Sequence, residues 1–138
     1  MFEKFDEYLL GHFSVDYWYD SGFEFAREML AKFNHDDWTK LSENVLSKPT
    51  DWQIRFAYCA DSDLNDEVII ESLILLASLE DEELFITCVD SLRVIVPPNH
   101  LETVFKKTPI MERIEQLLPT SGAATKRVFE HIIAMVQK

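Results

Sequence analysis

Glycine is nearly missing from this chain. Gly11, Gly22 and Gly122 are the only three in 138 residues, and each stands alone, so no glycine-rich loop can cradle a phosphate group. Cysteine is as scarce: Cys59 and Cys88 lie far apart, show no CxxC spacing, and fall short of the four or six that staple a small secreted scaffold. A reducing cytoplasm is the expected compartment. The histidines His12, His35, His100 and His131 are scattered, and none sits three or four residues from a second histidine or a cysteine, so the helical zinc pair is missing. Apolar runs are short. Leu73–Ala77 is far below the ~20 residues that span a bilayer, and Glu71 and Glu80 flank it, which excludes a membrane span. The opening Met1, Phe2, Glu3, Lys4, Phe5, Asp6, Glu7 is too acidic for the start of a signal peptide.

Basic residues are the other shortage. Thirteen Lys and Arg face 25 Asp and Glu, for a net charge of −12. The imbalance is uneven: residues 1–100 hold 21 acids and 7 bases, a net of −14, whereas residues 101–138 hold 4 acids and 6 bases, a net of +2. Nucleic-acid affinity comes mainly from basic groups that release counterions, so the first hundred residues would repel a polyanion and no direct nucleic-acid partner is expected. A basic protein would be steered in by the same field, and the charge also keeps an acidic protein soluble.

What is abundant is apolar and aromatic. The apolar share of 47%, with ten Phe, four Tyr and three Trp, supplies a core large enough for one domain of this length without disulfides or metal. Helical periodicity runs end to end, with only Ser14–Tyr19 ambiguous. Phe2, Phe5, Leu9 and Phe13 form the first apolar stripe, and residues 1–20 read as an N-terminal docking segment. Ser21-Gly22-Phe23-Glu24 has the spacing of a capping box that would start a helix at Gly22. Further helices are expected at 37–46, 51–60, 65–79, 81–96, 100–107, 109–118 and from 121, with breaks at Lys48-Pro49 and Pro97-Pro98. Trp52, Ile54 and Phe56 leave 51–60 apolar nearly all round, so it should be buried; Trp38 and Trp52 belong to the core. Connections are short, and the helices starting near Asp51, Asp81 and Ser121 recur at intervals of roughly 30 to 40 residues. The fold class is all-α, with antiparallel helical hairpins stacked as a short HEAT-like α-solenoid or, alternatively, packed as an irregular bundle.

Motifs for chemistry are absent or broken. Asp61-Ser62-Asp63-Leu64-Asn65 starts like a calcium loop, but position six is Asp66 instead of Gly and position twelve is Ser72 instead of Glu. No Gly-x-Ser-x-Gly elbow occurs and neither cysteine lies in an electropositive setting. No catalytic residue, metal or cofactor is therefore assigned; an enzyme would need acids distant in sequence to meet in a polar cleft. Eleven of the acids, Asp36, Asp37, Asp51, Asp61, Asp63, Asp66, Glu67, Glu80, Asp81, Glu82 and Glu83, fall at or next to expected helix starts, where most of them cap free N–H groups and offset the helix dipole. In stacked hairpins the same acids also sum to a negative ridge.

Asp16-Tyr17-Trp18-Tyr19-Asp20 is the most interface-like stretch: three aromatics between two acids, offering rigid area with polar tips and carboxylates for Lys or Arg. The competing reading folds two of the three rings back onto neighbouring helices. From Trp38 through Arg93, with Trp52-Gln53-Ile54-Arg55-Phe56-Ala57-Tyr58 and Asp61-Ser62-Asp63, the chain resembles the small acidic HEAT-like immunity proteins of bacterial toxin systems, including those of contact-dependent growth inhibition. That resemblance implies a cytoplasmic antidote that binds a cognate toxin domain, often a basic nuclease, and occludes its active site without catalysis. The candidate partner contacts are Asp16, Tyr17, Trp18, Tyr19, Asp20, Asp61, Asp63, Asp66 and Glu67. The alternative is a HEAT-like adaptor that recognises a cellular peptide or protein.

Overall fold

In the computed structural model, apolar spacing of three and four residues becomes helix from one end of the chain to the other, with no strand among the described residues. The structure describes residues 1–61, 64–106 and 108–137, and of Asp66 the backbone alone. The helices are α1 (Phe2–Leu9), α2 (Val15–Tyr17), α3 (Phe23–Ala31), α4 (His35–Asn44), α5 (Thr50–Cys59), α6 (Asp66–Leu76), α7 (Glu82–Ile95), α8 (Leu101–Lys106), α9 (Ile110–Leu117) and α10 (Ala123–Val136). None is long and apolar enough to cross a membrane.

The start signals are local side chains. Asn34 Oδ1 accepts from the Asp37 N–H at 2.9 Å while Asp37 Oδ2 accepts from the Asn34 N–H at 3.0 Å, a reciprocal capping box that opens α4. Asp81 Oδ1 accepts from the Leu84 N–H at 2.9 Å and opens α7. Pro49 ends the preceding 3₁₀ turn and precedes α5, and Pro97 follows the end of α7, as their missing N–H groups require.

The expected capping box at Ser21 is not formed. The chain is already helical there: Ser14, in extended geometry, accepts from the Tyr17 N–H at 3.1 Å and starts α2, and Trp18–Gly22 continues as a π-helical turn directly into α3. The ambiguous Ser14–Tyr19 is thus helical from Val15. Ser21 falls inside the coil, where it has no free helix start to cap.

Helix α5 lies at the centre, with Trp52, Gln53, Ile54, Phe56, Ala57 and Cys59 buried. The Phe5 ring meets Phe33, Trp52 and Phe56 edge-on at 5.3, 5.9 and 6.5 Å between centroids. Phe2, Phe5, Leu9 and Trp18 are all buried, so the first twenty residues form one wall of the core. Gln53 is polar but 3% exposed; its Nε2 donates to the Val45 carbonyl at 3.0 Å, which satisfies it. On α7 the seam Leu84, Phe85, Cys88, Val89, Leu92, Ile95 and Val96 is buried throughout. Ser91 Oγ donates to the Ala57 carbonyl at 2.6 Å, and Asp51 and Glu83 line one hollow, so α5 and α7 run side by side in the same direction.

Three arginines tie helices together by one device. Arg27 Nε donates to the Cys59 carbonyl at 3.1 Å, at the end of α5. Arg55 Nη1 donates to the Leu9 and Gly11 carbonyls at 2.8 and 2.7 Å, at the end of α1. Arg113 donates to the Ala77, Leu79 and Glu80 carbonyls, beyond the end of α6. Each guanidinium also lies over a phenyl ring, of Phe23, Phe13 and Phe85 respectively, at 4.7, 4.9 and 4.4 Å. Helix C-termini leave carbonyls unpaired and carry partial negative charge, and a cation fixed there answers both.

Candidate functional site

The π-helical turn decides which of the three central aromatics faces solvent. Trp18 points inward and is 3% exposed, whereas Tyr17 and Tyr19 are 40% and 39% exposed; Asp16 and Asp20 are exposed. Gly22 makes room for this arrangement, since a Cβ there would stand 3.1 Å from the Trp18 ring and 3.2 Å from that of Tyr17. Tyr17 stacks on Phe13 at 5.6 Å, and Tyr19 meets Tyr58 of α5 edge-on at 4.7 Å. Of the five residues expected here, four are on the surface. Trp18 is the exception: it is the buried ring of its turn and supports the surface from within.

Tyr8 fixes the turn from beneath. Its hydroxyl donates to the Gly22 carbonyl at 2.9 Å. Burial and then a hydrogen bond with Tyr17 push the Tyr8 phenol up to about 12.

Behind the turn lies a hollow of about 270 Å³ lined by Phe13, Ser14, Val15, Trp18, Tyr19, Asp51, Ile54, Arg55 and Glu83. A second, of about 420 Å³, adjoins it and shares Phe13, Asp51 and Arg55. Asp51 is in the first turn of α5 and Glu83 in the first turn of α7, so the parallel course of the two helices brings both acids to one edge. Tyr19 and Glu83 line the same hollow, and burial, then the Glu83 charge, raise the Tyr19 phenol above its ordinary value. The Trp18 indole N–H is buried without a hydrogen-bond partner among the described residues.

The other expected contacts lie past the C-terminal end of α5. Asp61 is half-buried and Glu67 exposed, beyond the C-terminal end of α5 and at the start of α6. Asp63 lies outside the described residues, as do Ser62 and Lys107, and so does the side chain of Asp66. The turn at 16–20 reaches α5 at Tyr58, three residues before Asp61, while Asp51 sits at the helix's opposite end. Ten residues of helix separate those ends by about 15 Å.

Five of the seven cations in residues 1–100 are engaged. Arg27 and Arg55 hold helix ends, Lys48 pairs with Asp6 at 2.8 Å, Lys40 with Glu3 at 2.7 Å, and Arg93 with Asp90 at 2.7 Å. Among the described residues no ion pair reaches Asp16, Asp20, Asp51 or Glu83. The negative field of the first hundred residues is therefore presented outward at this edge.

Sequence reasoning had Asp51 and Glu83 among the helix-start acids but outside the site. The usable signal was their interval: equivalent first-turn positions on two parallel helices come together in space. Elsewhere, an apolar groove of about 590 Å³ lies between α6 and α9, lined in part by Ile74, Leu75, Pro109 and Ile110. Both thiols are buried, Cys59 pushed up to about 12 and Cys88 further still by loss of water, a setting that disfavours thiolate chemistry. No group of three or more His, Cys, Asp or Glu able to hold a metal ion occurs among the described residues. No family model, curated protein or solved structure matches the chain.

Proposed function

We propose that this chain is a cytoplasmic immunity protein, a stoichiometric inhibitor that binds a basic antibacterial toxin domain and covers its active site. One observation carries the reading: half-exposed Tyr17 and Tyr19 stand among Asp16, Asp20, Asp51 and Glu83, whose charges no cation of the described chain pairs. Aromatic anchors with a charged rim give a partner both a place to bury area and a field that orients it. The expected nuclease partner fits the same logic, because a surface that attracts a nucleic-acid-binding face shares the charge of its substrate.

The scaffold reading belongs with this proposal. The parallel course of α5 and α7, with α6 between them in sequence, supports a HEAT-like stack of hairpins, in which alternate helix starts share an edge.

The test is functional. The chain is co-expressed with toxin domains encoded beside its gene, and rescue of growth is scored together with a 1:1 complex by gel filtration. Rescue by the wild type, and association slowed about tenfold or more at low salt by Asp16→Asn with Asp20→Asn, is the expected result. Failure to rescue against every such toxin domain sinks the immunity reading. An adaptor reading is favoured by the apolar α6–α9 groove, which suits the side chains of a peptide; binding that is lost on Leu75→Asp but indifferent to the acids would replace the first reading with it.

A further inference from the structure

The hollow behind the π-helical turn has a filled wall and an open one. Arg55 fills the first: its guanidinium lies 4.9 Å over Phe13 and 5.8 Å from the Trp18 ring centre, and Nη1 is spent on the Leu9 and Gly11 carbonyls. The negative end of the α1 dipole offsets that charge, so Arg55 does not close the hollow to a second cation. On the open wall stand Tyr19, Asp51 and Glu83, with Ile54 as an apolar floor.

Capping does not explain Glu83. The α7 start is already capped by Asp81, which leaves Glu83 without that duty. Both acids are exposed and neither has an ion-pair partner among the described residues. Tyr19 is held at a fixed angle by its edge-on contact with Tyr58, so the ring offered to a visitor is already ordered. The volume, about 270 Å³, is below the ~300 to 1,000 Å³ typical of small-molecule sites and suits a single long side chain.

We propose that this hollow receives one arginine side chain of the protein partner, its stem on Ile54 and Tyr19 and its guanidinium between Asp51 and Glu83. Arginine is favoured over lysine because a planar fork serves two carboxylates on different helices and stacks on an aromatic ring in the same contact. The proposal rests on the basic-partner reading and adds the anchor point, at two residues outside the 16–20 segment.

The probe is N-acetyl-arginine methylamide, titrated to millimolar concentration into the ¹⁵N-labelled full chain, with the lysine and glutamate analogues in parallel. A saturable shift of the Trp18 indole N–H and the Tyr19 amide is expected, stronger for arginine than for lysine and nil for glutamate. Asp51→Asn with Glu83→Gln should weaken it at least about tenfold in a spectrum that otherwise keeps its dispersion. Glu83→Gln alone, which leaves the Asp81 cap in place, provides the same reading should the double variant unfold. Shifts that never saturate, that survive both variants, or that follow the glutamate analogue overturn the anchor. A toxin complex formed equally well by the Glu83→Gln chain would remove the anchor and leave the immunity reading standing; arginine capture at the hollow without any rescue of growth would do the reverse.

Discussion

A guanidinium has five N–H donors and cannot be deprotonated, so an arginine aimed at a helix end is a permanent answer to that end's unpaired carbonyls. Arg55 and Arg113 both act this way. Hydrogen bonds to a charged group are each worth ~1.5 to 3 kcal/mol, reduced here because both side chains are partly exposed. Arg55→Ala should therefore lower unfolding stability by about 2 kcal/mol in urea titrations, and Arg55→Lys should recover only part of it, because an ammonium lacks the planar fork. A loss below roughly 0.5 kcal/mol would show that water replaces the clamp.

Asp37 is the acidic counterpart. Its carboxylate accepts from the Asn34 N–H and, across the core, from the Phe2 N–H at 2.9 Å, so it joins α4 to the first turn of α1. Those two backbone donors hold its pKa below the ordinary value. A folded-state pKa that is depressed adds stability above the unfolded value near ~3.9, and that stability is lost as pH falls through the folded value. Asp37→Ala should cost about 1 to 2 kcal/mol at pH 7, and its urea midpoint should converge on that of the wild type between about pH 4 and pH 2. Parallel curves over that window would show that the carboxylate charge is irrelevant.

Elements were legible where several local signals agreed. The α7 helix had an Asp start, an unbroken apolar seam and a proline stop, and all three are present in the fold. The 14–22 stretch was not legible, because the local capping signal stood at Ser21 whereas the start that forms lies seven residues earlier, at Ser14. Ser14 prevailed: the π-helical turn lets Trp18 bury its ring and keeps Gly22 beneath it, a tertiary gain that a local capping rule cannot register. The same turn leaves Asp16, Tyr17, Tyr19 and Asp20 on the surface and buries Trp18. Asp51 and Glu83 were missed as a pair because their meeting depends on helix direction, which no single window of sequence carries. A paired substitution separates the two starts. Ser14→Ala should cost about 1 kcal/mol, the usual worth of an N-cap, while Ser21→Ala should be neutral within about 0.5 kcal/mol. The reverse order would restore the capping box at Ser21.

At the scale of the whole molecule, charge and packing pull in opposite directions. The core is aromatic and densely connected, with Phe5, Trp52, Phe56, Phe85, Phe105 and Phe129 buried to within 2%, each worth ~1.5 to 3 kcal/mol of burial. Around it the first hundred residues hold a net −14, and five of the seven cations there, Arg27, Arg55, Lys40, Lys48 and Arg93, are committed to helix ends or to single carboxylates. Attraction in those pairs acts over a few ångströms, whereas repulsion among the uncommitted acids acts over the width of the domain. Salt screens the second far more than the first, since the Debye length falls from ~30 Å at 0.01 M to ~8 Å at 0.15 M. The urea midpoint should therefore rise between 0.01 and 0.15 M NaCl and flatten beyond it, the opposite of a protein held by surface ion pairs. A midpoint that falls over the same range would mean that short-range pairs such as Lys48–Asp6 dominate, and that the acidic edge is balanced within the chain instead of being held open for a basic partner.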